Sequence, residues 1–119
     1  MLIDTNAYLG HWAFRRLRYN HPEGLLSLMD RAGITHACVS SASAILYRNC
    51  HAGDEELAEM LSPSYERLIP FATPNPTYPA WERDLRWSHG TLGARGVRLY
   101  PTYHRYTLQD TCCHELVQA

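Results

Sequence analysis

The chain has 119 residues, of which 45% are hydrophobic and 19% charged, and its formal net charge at pH 7 is −1. This length and composition fit one globular domain with a buried core and exclude an intrinsically disordered chain. The basic residues are spread along the sequence without a run. That distribution argues against nucleic acid or a membrane as a partner, because both anionic surfaces attract clustered positive charge.

The N-terminus and the cysteines indicate a cellular compartment. The first residues lack the basic and apolar segments of a signal peptide, and no apolar run approaches the roughly 20 residues that span a bilayer. The spacing of the four cysteines matches no zinc motif, and the last two are adjacent and poorly placed to bridge to each other: Cys38, Cys50, Cys112 and Cys113. We therefore expect a cytoplasmic protein with reduced thiols.

Short apolar strands alternate with helical stretches along the sequence. Pro22 fits the first position of a helix, apolar residues follow at helical spacing, and Gly33 is placed to end it. Pro63 lies just beyond the second helix. Thr77 is expected to cap a third helix that turns Trp81 and Leu85 inward and fades by Gly90 or Gly93. The predicted strands are residues 2–9, 34–41, 68–73 and 97–100, and the other predicted helices are residues 22–32, 50–61 and 111–119.

This β-α-β-α-β-α-β-α order predicts an α/β fold, because parallel strands need crossover connections and helices provide them. We see no linker, so residues 1–119 are expected to form a single domain. The last helix carries no capping signal before Ala119. We therefore predict that the domain is truncated at its C-terminus.

Polar side chains at the ends of the predicted strands are the candidate functional residues, because parallel barrels carry their chemistry there. Arg98 and Tyr100 share one face of the fourth strand and could bind a substrate carboxylate or stabilise an oxyanion. The alternative is that Arg98 pairs with a buried acid such as Asp4. His11 and His104 follow strands and could serve as acid, base or ligand, or be solvated loop residues.

The loop after the first strand is rich in basic and aromatic residues. Arg15, with Arg16 and Arg18, could hold an acidic substrate, and a solvated basic loop explains the same residues equally well. Ser40, Ser41 and Ser43 lack the Gly-x-Ser-x-Gly context of a hydrolase nucleophile.

Four segments resemble, in order, the amidohydrolase-related proteins that group with aminocarboxymuconate-semialdehyde decarboxylase. They are IDTNAYLG at residues 3–10, WAFR at 12–15, IPFA with a following NP within 69–76, and GVRLYP at 96–101. The resemblance implies a (β/α)8 TIM barrel of which this chain forms about the N-terminal half. It also implies a divalent metal, usually zinc, that activates water or polarises the substrate.

The first strand departs from the family pattern. That pattern ends the strand in His-x-His, whereas Asn6 and Tyr8 stand at the two positions here. Strand alternation places Asp4, Asn6 and Tyr8 on one inward face, but an amide and a phenol are poor zinc ligands. Tyr100 replaces a frequent fourth-strand His, and the remaining family ligands would lie beyond Ala119. We therefore predict no metal ligand in this chain.

Two kinds of function remain open. The first is an amidohydrolase-like hydrolase or decarboxylase, active as the full-length protein on a small carboxylated or cyclic substrate. Its predicted catalytic residues are Arg98, Tyr100 and His104, and its predicted substrate-binding residues are Asn6, Tyr8, His11 and Arg15. The second is a metal-free pseudoenzyme or small-molecule-binding barrel, or an inactive fragment. The open edges of the first and fourth strands also predict self-association into a homo-oligomer.

Overall fold

The computed structural model describes residues 1–61 and 66–119, and within them four parallel strands form one sheet in the order β1-β2-β3-β4. The strands are β1 (Ile3–Leu9), β2 (His36–Ser41), β3 (Leu68–Ala72) and β4 (Gly96–Val97). The helices are α1 (Pro22–Ala32), α2 (Cys50–Leu61), α3 (Trp81–Trp87), α4 (Pro101–His104) and α5 (Thr111–Gln118). The expected α/β class is confirmed, while the expectation for Pro63 lies outside the described residues.

Helix α1 begins and ends at the residues that its sequence signals predict. Pro22 occupies the first turn, and the His21 ring accepts a hydrogen bond of 3.1 Å from the Gly24 amide. Gly33 takes the left-handed conformation with φ of 70°, which a residue without a side chain adopts freely. Its amide donates to the Asp30 carbonyl and thereby satisfies the end of the helix.

The hydrophobic core lies between one face of the sheet and helices α1 and α2. Alternate residues of the strands point into it, because successive side chains of a strand project to opposite faces. Each fully buried leucine contributes about 2 kcal/mol of hydrophobic stabilisation. The core residues are Ala7, Leu9, Leu25, Met29, Ala37, Val39, Leu57, Leu61, Leu68 and Leu92. We call this side of the sheet the helix face and the opposite side the open face.

A β-bulge interrupts strand β1. Asp4 pairs with Ala37 and Ala7 pairs with Val39, so two residues of β1 lie opposite Cys38 alone. Paired residues share a face, and Ala37 and Val39 both belong to the core. Asp4 therefore lies on the helix face, whereas Tyr8, which lies between Ala7 and Leu9, points to the open face. The expectation that Asp4, Asn6 and Tyr8 share a face is wrong, because the bulge shifts the alternation by one residue.

The third helix starts later than its sequence predicts. Thr77 does not cap it: the Thr77 hydroxyl donates to the Asn75 side-chain oxygen at 2.7 Å, in a turn before the helix. Helix α3 begins at Trp81 and continues as a π-helical turn, Ser88–Leu92. Trp81 and Leu85 are only partly buried, and Leu92 of the π-helical turn is the residue that enters the core.

Strand β4 is two residues long, so the predicted strand over 97–100 is mostly wrong. Its pairing with β3 ends where the Arg98 amide donates to the Ala72 carbonyl at 2.9 Å. Pro101 then starts the short helix α4, which the sequence analysis did not include. Arg98 and Tyr100 therefore lie in a connection after the strand, at the C-terminal edge of the sheet.

Helix α2 packs closely against the turn after β2. Gly53 of α2 faces Ala44, and a Cβ placed on Gly53 would lie 2.6 Å from the Ala44 Cα and 2.8 Å from its amide nitrogen. Only glycine permits this approach without a shift of the backbone. No helix in the described ranges is both long and apolar enough to cross a membrane.

Candidate functional site

Three side chains converge on the open face at the C-terminal edge of the sheet. The guanidinium carbon of Arg98 lies 4.9 Å from the centre of the Tyr8 ring, a cation–π distance. The Tyr100 hydroxyl donates to the Tyr8 hydroxyl at 3.1 Å. We call Tyr8, Arg98 and Tyr100 the Tyr–Arg–Tyr cluster. All three are partly buried, so they are held in place and still reach solvent.

Arg98 binds the main chain at the bulge of β1. Its guanidinium donates to the Ala7 carbonyl at 2.9 Å, to the Cys38 carbonyl at 2.9 Å and to the Thr5 carbonyl. These carbonyls surround the place where the register of β1 and β2 shifts, where a regular ladder cannot satisfy every oxygen. The Asp4 carboxylate accepts from the Asn6 amide at 2.9 Å, so in the described part Arg98 binds carbonyls and not Asp4.

Among the residues that the structure describes, no carboxylate forms an ion pair with Arg98. Its hydrogen-bond partners in the described residues are three carbonyl oxygens and the Tyr100 hydroxyl, all of them neutral groups. The cluster therefore carries net positive charge on a partly enclosed face. Such a face attracts anions, because partial burial weakens the screening by water.

The phenols of the cluster act as hydrogen-bond donors. Burial, and then the neighbouring Tyr8 hydroxyl, raise the pKa of Tyr100 well above its usual range, so that phenol stays protonated. A hydroxyl has one proton and two lone pairs. Because the Tyr8 hydroxyl accepts from Tyr100, its own proton is available to a ligand on the open face.

The other candidate residues lie apart from the cluster or beneath it. Asn6, His11 and Arg15 are exposed, and no hydrogen bond among the described residues joins them to the cluster. His11 lies in the loop after β1, where its carbonyl accepts from the Ser43 hydroxyl at 3.0 Å. His104 is buried, and its ring packs edge-on against Tyr100 with 6.0 Å between the ring centres.

Two titratable groups below the cluster are held neutral. His104 Nε2 lies 3.1 Å from the Ile45 carbonyl and 3.5 Å from the Cys50 sulfur. Burial lowers the pKa of His104 and raises the pKa of the Cys50 thiol to about 12. Nucleophilic cysteines react as thiolates, so this pair does not form an activated nucleophile. Neutral His104 instead supports the Tyr100 ring from below.

The sequence analysis missed a buried carboxylate in α2. Asp54 is 3% exposed, and its oxygens accept from the Thr73 amide at 3.1 and 3.3 Å and from the Ser88 hydroxyl at 3.5 Å. Burial is the main reason why its pKa rises to about 7. A signal was present: Asp54 stands between Cys50 and Leu57 at the spacing of the buried face, whereas Glu55 and Glu56 are exposed.

Asp54 is expected to make the folding stability pH-dependent. Burial raises the pKa of Asp54 to about 7, from the 3.8 of an unperturbed aspartate. The folded state therefore binds one more proton between these values, and stability falls as pH rises through them. Each pKa unit corresponds to about 1.4 kcal/mol. Because water that enters the site would partly solvate the ionised carboxylate, we expect the free energy of unfolding to fall by about 2 to 3 kcal/mol. Urea unfolding at about pH 4.5 and pH 8 measures it.

The matched variant is Asp54→Asn, which keeps an oxygen for the Thr73 amide and removes the ionisation. Its stability should stay nearly level over the same pH range. Glu56→Gln removes an exposed carboxylate from the same helix and should leave the slope unchanged. A wild-type slope that persists in Asp54→Asn would assign the effect to another group.

The residues present do not fit the metal site that the family resemblance implies. In residues 1–61 and 66–119, no three His, Cys, Asp or Glu side chains are placed to hold a metal ion. Asn6 and Tyr8 occupy the family's ligand positions. Asn6 lies within the bulge, so the two side chains do not follow the regular alternation of a strand. We therefore derive no chemical step through a metal at this site.

Comparison of the chain with protein-family models, with curated proteins and with solved structures gave no match in any of the three. The candidate site accordingly rests on the residues and their geometry.

Proposed function

We propose that this chain is the N-terminal part of a (β/α)8 barrel related to the amidohydrolases, and that its Tyr–Arg–Tyr cluster binds a small carboxylated or cyclic substrate. The full-length protein would then be a hydrolase or decarboxylase. The observation that carries the proposal is the convergence of Tyr8, Arg98 and Tyr100 at the C-terminal edge of a parallel sheet. That edge is where parallel barrels bind their substrates.

Each cluster residue has a distinct role in the proposed site. Tyr8 touches the substrate and donates its free proton to a carboxylate or carbonyl oxygen. Tyr100 orients the Tyr8 hydroxyl through their 3.1 Å hydrogen bond. Arg98 positions the bulge and supplies positive charge, which favours an anionic substrate or an oxyanion that develops during the reaction.

A second candidate function is a barrel that binds a small anion without catalysing its conversion. The observation that favours it is the replacement of the family's two first-strand imidazoles by Asn6 and Tyr8. In the described ranges no metal-binding trio compensates for that replacement. Elemental analysis of the full-length protein separates the candidates, since stoichiometric zinc or manganese excludes a metal-free barrel.

Removal of the Tyr8 hydroxyl tests the proposed site. In Tyr8→Phe the ring that contacts Arg98 is retained and the substrate donor is lost, so we expect about 10-fold weaker binding of small carboxylates to the full-length protein. Tyr100→Phe should show a smaller loss, because Tyr100 acts through Tyr8. Calorimetric titration with a panel of mono- and dicarboxylates measures both, alongside assays for release of carbon dioxide and for hydrolysis of cyclic amides and esters.

Tyr103→Phe is the matched control, because Tyr103 is 54% exposed and is the third residue of α4. It should bind as the wild type does. If Tyr8→Phe and Tyr100→Phe bind every carboxylate as tightly as Tyr103→Phe and the wild type do, the cluster is not the binding site.

A further inference from the structure

A second polar site lies between α2, α3 and the loop after β3. Its walls include His51, Asp54, Thr73, Trp81, Asp84 and Ser88, around a cavity of about 10 Å³. A space of that size holds one water-sized particle. We call it the Asp54 cavity. It is separate from the Tyr–Arg–Tyr cluster and does not depend on the proposed function.

The Asp54 cavity contains unpartnered hydrogen-bonding atoms. Thr73 is fully buried, and its hydroxyl finds no hydrogen-bond partner in the described part of the chain. The Nδ1 atom of His51 is also buried without a partner there, 4.0 Å from the Asp84 carboxylate. Buried polar atoms are rarely left unpaired, so each requires an occupant to bind it.

The cavity carries negative charge above about pH 7, where Asp54 is ionised. Asp54 and Asp84 both line it, and the described hydrogen bonds to Asp54 come from the neutral Thr73 amide and Ser88 hydroxyl. Arg83 pairs with Asp84 at 3.3 Å; the Arg83 side chain is 78% exposed and that of Asp84 is 14% exposed. The described hydrogen bonds to Asp54 include no such cationic donor, so Asp54 supplies the unpaired negative charge of the cavity.

The unpartnered atoms of the cavity wall both offer lone pairs to an occupant. The His51 Nε2 atom lies 3.4 Å from Glu55, so in neutral His51 that nitrogen carries the proton and Nδ1 is an acceptor. The two carboxylates accept as well, and the Thr73 hydroxyl offers one donor and two lone pairs. An occupant that satisfies these atoms carries several N–H or O–H donors and a positive charge.

We propose that the Asp54 cavity binds a single ammonium group, either the free ion or the head of a small primary amine. An ammonium ion is about the size of water, carries four donors and is cationic, so it matches the volume, the acceptors and the charge of the cavity. A metal ion matches less well, because no metal-binding trio of side chains forms among the described residues. Trp81 adds an aromatic wall, which favours a cation.

Thermal unfolding of the full chain in ammonium chloride tests the proposal against potassium chloride and sodium chloride of equal ionic strength. At about pH 8, where Asp54 is ionised, we expect ammonium to raise the unfolding midpoint by about 3 to 5 °C in a saturable manner. Potassium has a similar size but no hydrogen-bond donors, so potassium should raise the unfolding midpoint much less than ammonium does. An equal shift in potassium, or none in any salt, overturns the proposal and leaves a water-filled cavity.

The same experiment in methylammonium chloride distinguishes a free ammonium ion from the head group of a primary amine. A shift with ammonium alone identifies the free ion, and a shift with methylammonium as well identifies the head of a larger amine. Asp54→Asn should abolish the ammonium shift, while Glu59→Gln, an exposed acid on the same helix, should retain it.

A direct readout covers the case in which Asp54→Asn is itself unstable. ¹⁵N-labelled ammonium bound to the wild-type chain should give an NMR contact with the Thr73 methyl group or the Trp81 ring. Absence of that contact at saturating ammonium contradicts the proposal.

Discussion

Replacement of Gly53 by alanine is expected to destabilise the protein by about 4 kcal/mol or more. The new Cβ would lie 2.5 Å from the Ala44 Cβ and 2.6 Å from its Cα. Backbone atoms cannot rotate away, so α2 must separate from the turn that contains Ala44. That movement also strains the hydrogen bond of 3.1 Å from the Ala44 amide to the Ser41 hydroxyl. Urea denaturation followed by circular dichroism measures the loss.

Gly90→Ala is the matched control, because the corresponding Cβ would meet no atom within 4 Å and the backbone is not left-handed. Alanine lowers the conformational entropy of the unfolded chain, so this variant should be unchanged or more stable by up to about 1 kcal/mol. If Gly53→Ala also proves neutral, the close approach of α2 to Ala44 is not a feature of the folded protein.

Replacement of Arg98 by leucine is expected to destabilise the protein by about 4 kcal/mol. The change removes the donors to the Thr5, Ala7 and Cys38 carbonyls. An unsatisfied buried acceptor costs about 1 to 3 kcal/mol, and partial access of water to the bulge offsets some of that sum. Equilibrium unfolding of Arg98→Leu against wild type measures the effect, and amide exchange of β1 locates it.

Two further variants show whether the effect comes from the hydrogen bonds. Arg98→Lys retains the charge and can still donate to one or two carbonyls, so about half of the stability should return. Arg95→Leu removes an exposed arginine three residues earlier and should change stability by less than about 0.5 kcal/mol. Equal losses in Arg98→Leu and Arg98→Lys would mean that the carbonyls do not depend on the guanidinium donors.

Local signals in the sequence were sufficient to predict the bounds of α1 and α2. Pro22 and Gly33 bound α1 because their backbone preferences act within a turn of the chain. The bounds of α2 were also predicted from Cys50 to Leu61. A competing local hydrogen bond overrides the capping signal of the third helix: Thr77 donates to the Asn75 side chain, and the chain becomes helical only at Trp81.

The bulge in β1 and the shortness of β4 could not be predicted from alternation. A bulge adds one residue to a strand whose apolar and polar residues still alternate acceptably, so the pattern of residues 3–9 does not reveal it. The donor that satisfies the carbonyls at the bulge is Arg98, which lies 91 residues after Ala7. Strand β4 ends at Val97, and its last bond to β3 runs from the Arg98 amide to the Ala72 carbonyl.

The sequence placed the cluster residues near strand ends but could not supply their contacts. The pairing of Tyr8 with Tyr100 joins residues 92 positions apart, and only the parallel sheet brings the ends of β1 and β4 to one edge. Asp54 was missed because a carboxylate within a charged helix is usually solvated. Its burial follows from Thr73 and Ser88, whose proximity is a property of the fold.

The bond between Arg98 and the bulge joins the two ends of the sheet across a long stretch of chain, so we expect it to form late during synthesis. The ribosome makes β1 first, yet the Thr5 carbonyl finds its donor 93 residues later. Strands β1 and β2 can pair earlier, but their shifted register lacks its stabilising donor until Arg98 has emerged. Long-range contacts of this kind form late, because a large loop must close first. Strand β1 is therefore made before β2, β3 and β4 and is among the last of them to reach its final hydrogen bonding.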